Sequence, residues 1–281
     1  DNFLHAVPLA PRWVLRPALQ PLYRLEQTAY RAASGIVGVA RGYVERGLAA
    51  GGCKRHQAVF HLGADLAELD RAMAAGAAQH AGKWAKQPGE VRFLYSGSFT
   101  TSYDVLTIVR AARRLLERHG DRLSLVLTGT GVLQPAIEAL IAEAGTDRIR
   151  LAGFLGFEEY ACLLAQCDAG FNASFPGAMI YFPNKIFFYL AAGLAVLNTI
   201  PGECADLVAE TGCGLSYPAG DVAACAAAMQ RLIEEPQSRT AMRAAARQVA
   251  ATRFDRDIVY RAFARFLESV AADRPELPPA S

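Results

Sequence analysis

The chain has no CxxC pair and no recognisable metal-binding motif, although it holds six cysteines, Cys53, Cys162, Cys167, Cys204, Cys213 and Cys225. Isolated cysteines in apolar or Ala-rich surroundings read as free, buried thiols in a reducing compartment. No block of like charges occurs and the net charge is only +2, which argues against nucleic acid as a main partner. No apolar run approaches the roughly 20 residues needed to cross a bilayer, and no charged-then-apolar leader is present. A GxGxxG turn with an acid about 20 residues on is also missing. The TGTG at 128–131 has the wrong spacing, so a Rossmann oxidoreductase is excluded.

What is present is a large apolar content. Of the 281 residues, 52% are hydrophobic and 20% charged, enough for one large or two modest packed domains. The first residue is Asp1, so a processed or truncated piece of a longer chain is expected. Residues 1–24 carry four prolines, which predict an irregular segment rather than a long helix. Its basic and apolar mix also fits contact with a membrane surface.

From residue 35 on, short β-branched or apolar runs alternate with helical periodicity. Predicted strands are 35–40, 58–66, 91–97, 123–131, 149–155, 169–174, 194–199 and 214–219. Residues 82–90, GKWAKQPGE, read as a linker. Predicted helices include 67–81, 103–119, 133–144, 157–166, 184–192, 221–234, 237–252 and 256–272. This rhythm predicts an α/β fold with a parallel sheet covered on both faces. Ligands in such sheets sit at the carboxyl ends of the strands. Four turns there are small or Gly-rich: SGS (96–98), TGTG (128–131), GF (153–154) and NAS (172–174). Turns of this kind can offer backbone N–H groups to an anion.

The run FLYSGSF, YDVLTIVRAARRL, LVLTGTG, IRLAGFLGFEEYACLLAQCDAGFNAS, FPNKIFFYLAAGLAVLNT, PGECADLVAETGCGLSYPAGD and RFDRDIVYRAF, spanning about 91–266, resembles the C-terminal half of a GT-B glycosyltransferase of the retaining family 4. The stretch from AYRAASGIVGVA to AVFHLGAD resembles the end of that family's N-terminal domain. The resemblance implies two Rossmann-like domains facing across a cleft. It divides the chain into 1–66 (remnant of the acceptor-side domain), 67–90 (helix and linker), 91–256 (donor domain, a doubly wound parallel sheet) and 257–281 (crossover helix and tail). It implies a nucleotide-sugar donor, with the base at Gly153 and Phe154. The phosphates would lie at the loop after the first strand, Gly97 and Ser98, and at the helix opened by Asn184 and Lys185. Gly129, Thr130, Phe188 and Glu203 complete the expected donor site. The catalytic group would come from the early part of the N-terminal domain and is unassigned here.

Two departures stand out. Members of the family often carry two Glu residues eight positions apart, the second bonded to the donor ribose. Those positions are Ile180 and Phe188 here. A carboxylate suits a diol because it accepts two charge-assisted hydrogen bonds. The Arg and Lys that many members place near the diphosphate are replaced by Ser98 and Tyr103, which leaves Lys185 as the nearby cation. The other reading of Lys185 is a solvated first-turn lysine or a structural ion pair. Asp65 reads as a helix cap. His61 reads as structural, and Tyr95, Tyr181 and Trp84 as packing residues. His5, His56, His80 and His119 show no partner pattern.

The expected function is transfer of a sugar, of hexosyl type, from a nucleotide donor to a cell-envelope or secreted polysaccharide or lipid-linked acceptor, with retention and without metal or other cofactor. The alternative is a degenerate relative that binds a sugar or partner without transfer. A cytoplasmic location is expected, with peripheral contact at the inner membrane face through Arg12, Trp13, Arg16 and Tyr23.

Overall fold

The computed structural model describes residues 12–273, with the side chains of 12–16 and 18 outside it. Contacts divide the chain into two compact units, one made of residues 1–62 and 257–281, the other of 63–256.

The smaller unit opens with helix α1 (Arg12–Ala32), which corrects the irregular segment expected there. Pro17 and Pro21 both lie inside this helix, and both are exposed. Four residues apart, they fall on one side of the helix, where water can take the carbonyls each proline leaves free. The expected contact residues Arg12, Trp13 and Arg16 have side chains outside the described set. The expected irregular stretch of residues 1–11 lies outside it altogether. Strand β1 (Ile36–Gly38), helix α2 (Arg41–Ala49) and strand β2 (Gln57–Val59) follow, with β1 and β2 paired in parallel. The strand expected over 58–66 is therefore three residues long.

The larger unit begins with α3 (Leu66–Trp84), capped by the Asp65 carboxylate, which accepts from Glu68 N–H at 2.7 Å. Then come β3 (Val91–Ser96), α4 (Val105–His119), β4 (Leu123–Thr128), α5 (Gln134–Ala144), β5 (Ile149–Gly153), α6 (Phe157–Ala165) and β6 (Ala169–Asn172). The chain continues through α7 (Lys185–Ala191), β7 (Ala195–Asn198), α8 (Glu203–Thr211), β8 (Gly214–Ser216), α9 (Val222–Glu234) and α10 (Pro236–Arg253). Helix α11 (Arg256–Ala272) belongs almost wholly to the smaller unit, where Phe263 and Phe266 pack on Phe60 at 5.3 and 5.6 Å.

Six strands form one parallel sheet in the order β5-β4-β3-β6-β7-β8. Every residue of β3, β4, β6 and β7 is buried, as near-continuous apolar strands in a doubly covered sheet must be. On one face Phe93, Leu125, Phe171 and Leu197 meet Ile108, Ala112, Ile137 and Met229 of α4, α5 and α9. The α/β class and the doubly wound parallel sheet are as the sequence predicts.

Charges are buried at the end of the sheet where the strands begin. Arg92, fully buried, bonds the Glu90 carboxylate at 2.8 Å and the carbonyls of Trp84 and Ala85. Of the linker expected over 82–90, residues 82–84 belong to α3 and 85–90 are tied to the sheet. Asp168 is a second hub: it accepts from Arg92 N–H at 2.8 Å and Arg243 Nη1 at 3.0 Å, and pairs with Lys86. Removing one partner of a buried ionic group strands the others. Asp168→Ala is expected to cost about 3 kcal/mol in urea unfolding, because Lys86 and Arg243 keep some contact with water. Arg113→Ala, which breaks the exposed Arg113–Glu143 pair, is expected to cost about 1 kcal/mol or less.

Candidate functional site

At the opposite end, where the strands finish, three turns are stitched side by side. Gly97 N–H donates to Thr128 O at 2.9 Å, Phe99 N–H to Thr130 O at 2.8 Å, and Gly129 N–H to Gly153 O at 2.9 Å. Alternate N–H groups are thus consumed. Among the described residues, those of Ser98 and Thr130 take no backbone carbonyl. The stitching requires glycine at 129. Its φ is +133°, and a Cβ there would stand 1.9 Å from Gly97 O.

These turns floor a cavity of about 480 Å³, a size suited to a small ligand. Ser96, Gly97, Ser98, Thr128, Gly129 and Thr130 form the floor. Phe154, Leu155, Phe157, Tyr160 and Phe188 form an apolar wall. Phe154 is 88% exposed and Phe157 42%, so the wall presents an apolar face to solvent. Phe188 meets Phe157 and Tyr160 edge-on, with ring centroids at 6.3 and 6.0 Å. The hydroxyls of the lining are partly spent. Ser96 Oγ bonds Tyr160 at 2.9 Å and Tyr189 at 3.0 Å, and Thr128 Oγ1 donates to Gly153 O at 2.6 Å. Burial pushes the Tyr160 phenol above its ordinary range, so it acts as a neutral hydroxyl.

Among the described residues no carboxylate lines this cavity. One cation lies directly behind it. Lys185, the first residue of α7, runs under the Gly97 turn, where a Cβ on Gly97 would stand 3.0 Å from Nζ. The amine sits 3.9 Å from the Tyr95 ring centroid and 4.3 Å from that of Tyr103, in cation–π contact with two rings that meet each other edge-on at 6.4 Å. It is 9% exposed and has no hydrogen-bond partner. Desolvation lowers its pKa from 10.5 to about 7. An ammonium left without an acceptor in so dry a place is a costly arrangement that an incoming anion relieves.

Of the ten residues predicted for the donor site, six line this cavity together: Gly97, Ser98, Gly129, Thr130, Phe154 and Phe188. Gly153 supports the floor through its carbonyl, and Lys185 stands behind Gly97. Asn184 and Glu203 are not in the lining. Asn184 is exposed and its side chain makes no capping bond; Glu203 opens α8. Ile180 also lies outside the lining. The solvated reading of Lys185 is corrected, since the side chain is buried. Tyr95 packs in the core as expected, yet its ring also carries the lysine. Ser96 and Thr128 lie in the two small turns singled out in the sequence, whereas sequence reasoning missed Leu155, Phe157 and Tyr160. Phe157 and Tyr160 were findable, because three residues apart in the first turn of α6 they share a face directly after the GF turn.

The family model for glycosyl transferases, group 1, matches residues 90–235. The amylovoran biosynthesis glycosyltransferase AmsK of Erwinia amylovora is 28% identical over 170 residues, covering 59% of this chain and 42% of that protein. A glycogen synthase of Mycobacterium tuberculosis is 29% identical over 208 residues, covering 71% of this chain and 48% of its own. The chain thus spans less than half the length of these two relatives. HepE of Anabaena, solved in complex with UDP, superposes with a TM-score of 0.72 at 18% identity, over 88% of this chain and 67% of HepE. Sucrose-phosphate synthase from Thermosynechococcus elongatus gives 0.71 at 19%, over 90% of this chain and 62% of its own. At these identities the structural likeness shows the fold.

The depressed pKa of Lys185 sets a stability window. Between about pH 7 and 10.5 the unfolded chain holds a proton that the folded chain has released, so stability rises with pH across that range. The destabilisation is complete below pH 7 and absent above 10.5. Lys185→Met keeps most of the volume and removes the charge. The variant's Tm is expected to exceed that of the unaltered chain at pH 6, with the difference shrinking toward pH 10. Calorimetric unfolding across pH checks this.

Proposed function

On the premise that the chain belongs to the glycosyl transferases, group 1, we propose that the cavity at 96–98, 128–130 and 154–160 binds the nucleoside diphosphate of a nucleotide-sugar donor. The observation that carries the reading is the buried, unpartnered Lys185 amine behind Gly97. The diphosphate lies against the Ser98 N–H and draws on the Lys185 charge. The base lies against Phe154 and the Gly153 turn. That HepE was solved with UDP, and also with UDP-glucose, supports a donor of this class.

The reaction in this reading is that of a retaining, family 4-type hexosyltransferase. The bond from the sugar C1 to the β-phosphate oxygen breaks, the acceptor oxygen joins C1 on the same face, and the acceptor proton leaves toward the departing diphosphate. Charge grows on that diphosphate as the bond breaks, and a preorganised cation in a dry site offsets it best. Amylovoran biosynthesis in one relative supports a polysaccharide of the cell envelope, or its lipid-linked precursor, as acceptor. Work in the cytoplasm at the inner membrane face fits that acceptor. Leu22 and Leu25 of α1, 61% and 66% exposed beside Arg24, support such contact. Among the described residues no helix is long and apolar enough to span a membrane. The second reading, donor binding without transfer, is favoured by the absence of any carboxylate in the cavity lining.

Calorimetric titration with UDP at pH 6.5 tests the site. The unaltered chain is expected to bind. Lys185→Met is expected to lose about tenfold or more, the value of a hydrogen bond to a charged group. Equal affinity in both proteins would remove Lys185 from the site. Release of UDP from UDP-glucose in the presence of acceptor glycan separates transfer from binding alone.

A further inference from the structure

We propose that the Tyr160 hydroxyl, left as a pure donor by the order of its hydrogen-bonded neighbours, binds a diphosphate oxygen of the ligand. The inference rests on the donor reading above and adds to it an uncharged phosphate-binding group on the wall of the cavity.

Counting protons fixes the direction. Three hydroxyls form one chain: Tyr189 Oη lies 3.0 Å from Ser96 Oγ, which lies 2.9 Å from Tyr160 Oη. Each oxygen owns one proton, and each link takes one. Tyr189 is fully buried, and its oxygen already accepts the Ser96 N–H at 2.9 Å. Among the described residues Ser96 Oγ is the sole acceptor for the Tyr189 proton. Were the chain to run the other way, from Tyr160 through Ser96, that proton would be sealed in the core without a partner, the costliest arrangement. Tyr189 therefore donates to Ser96, and Ser96 donates to Tyr160. The Tyr160 oxygen is spent as an acceptor, and its own proton is left over. Burial keeps both phenols protonated well past neutral pH. Tyr160 lines the cavity and Tyr189 does not, so the cavity is where the proton is offered.

Helix α7 points to what takes it. Lys185 and Tyr189 are four residues apart and share one face of that helix. Lys185 carries its amine under Gly97, and Tyr189 carries its hydroxyl to Ser96. One element thus sends a positive charge and a directed chain of hydroxyls to two neighbouring residues, Ser96 and Gly97. A ligand atom that uses both is an anionic oxygen, which accepts from the phenol and offsets the unpartnered amine. A ligand N–H or O–H gains nothing at Tyr160, because the oxygen there already accepts from Ser96.

The test is calorimetric titration of the full chain and of Tyr160→Phe with UDP and with inorganic pyrophosphate, which offers the diphosphate without a nucleoside. The variant keeps the ring that meets Phe188 and loses only the hydroxyl. Both ligands are expected to bind it about tenfold or more weakly, the value of a hydrogen bond to a charged group. A second readout needs no variant. The Tyr160 Cζ resonance of the unaltered chain, followed by 13C NMR, is expected to move downfield on adding pyrophosphate, as a phenol does when it donates to an anion. A loss confined to UDP would place the effect on the wall or the base and overturns the proposal. So does a change below about threefold for either ligand, or a Cζ resonance that stays still or moves upfield; each of these leaves donor binding standing. If the unaltered chain binds neither ligand, the donor reading fails first and takes this one with it.

Discussion

A charged amine held away from water is the constraint around which the site is arranged. Lys185 enters from the start of α7, and two aromatic faces, Tyr95 and Tyr103, accept its ammonium in place of hydrogen-bond acceptors. Ring quadrupoles replace only part of the lost hydration, and the lowered pKa is the measure of what remains unpaid. Gly97 takes a φ of +134° that favours glycine, with the amine close beneath it, and Gly129 has to be glycine for the second turn to close on the first. The Tyr95 hydroxyl, bonded to Ser98 O at 2.9 Å, ties the cage to the loop above it. The buried ionic hubs at Arg92 and Asp168 sit at the far end of the same strands, where they anchor the sheet without entering the cavity.

In the resemblance to family 4, cations near the diphosphate are expected at the positions of Ser98 and Tyr103. The structure shows what stands at those positions instead. Tyr103 supplies no charge of its own, but its ring carries the charge of Lys185. A cation thus reaches the neighbourhood of the Gly97 turn from a different element. Phe188 departs in the other direction. Its aromatic contacts make a wall that has lost hydrogen-bonding capacity and gained packing. In the proposed donor site the first departure would keep an electrostatic function by rerouting it, and the second would exchange a polar function for an apolar one.

Much of the fold was legible because local and global signals agree there. The runs 91–97, 123–131 and 169–174 are continuous and apolar, and each proved to be a strand buried on both faces. Where they disagree, the sequence misled. Two prolines argue against a helix at 12–32, yet both lie on its exposed side, where the lost bonds cost least. The floor of the site was legible because βα turns need glycine at defined points. Its wall was legible only in part: Phe154 and Phe188 were expected, but their meeting with Phe157 and Tyr160 depends on packing of α6 against α7. Lys185 could be recognised as a cation, but its burial depends on residues 82 and 90 positions away, Tyr103 and Tyr95. Glu203 shows the converse error: a place after a strand end does not put a side chain into the cavity.

The central claim is that Lys185 is a desolvated amine awaiting a phosphate. The most direct measurement is the NMR titration of its side chain, followed at Cε and Nζ, with and without a saturating nucleoside diphosphate. The account predicts a pKa of about 7 in the free protein, moving up toward the ordinary lysine range when the anion binds. An ordinary lysine pKa in the free protein, unchanged by nucleotide, would contradict it.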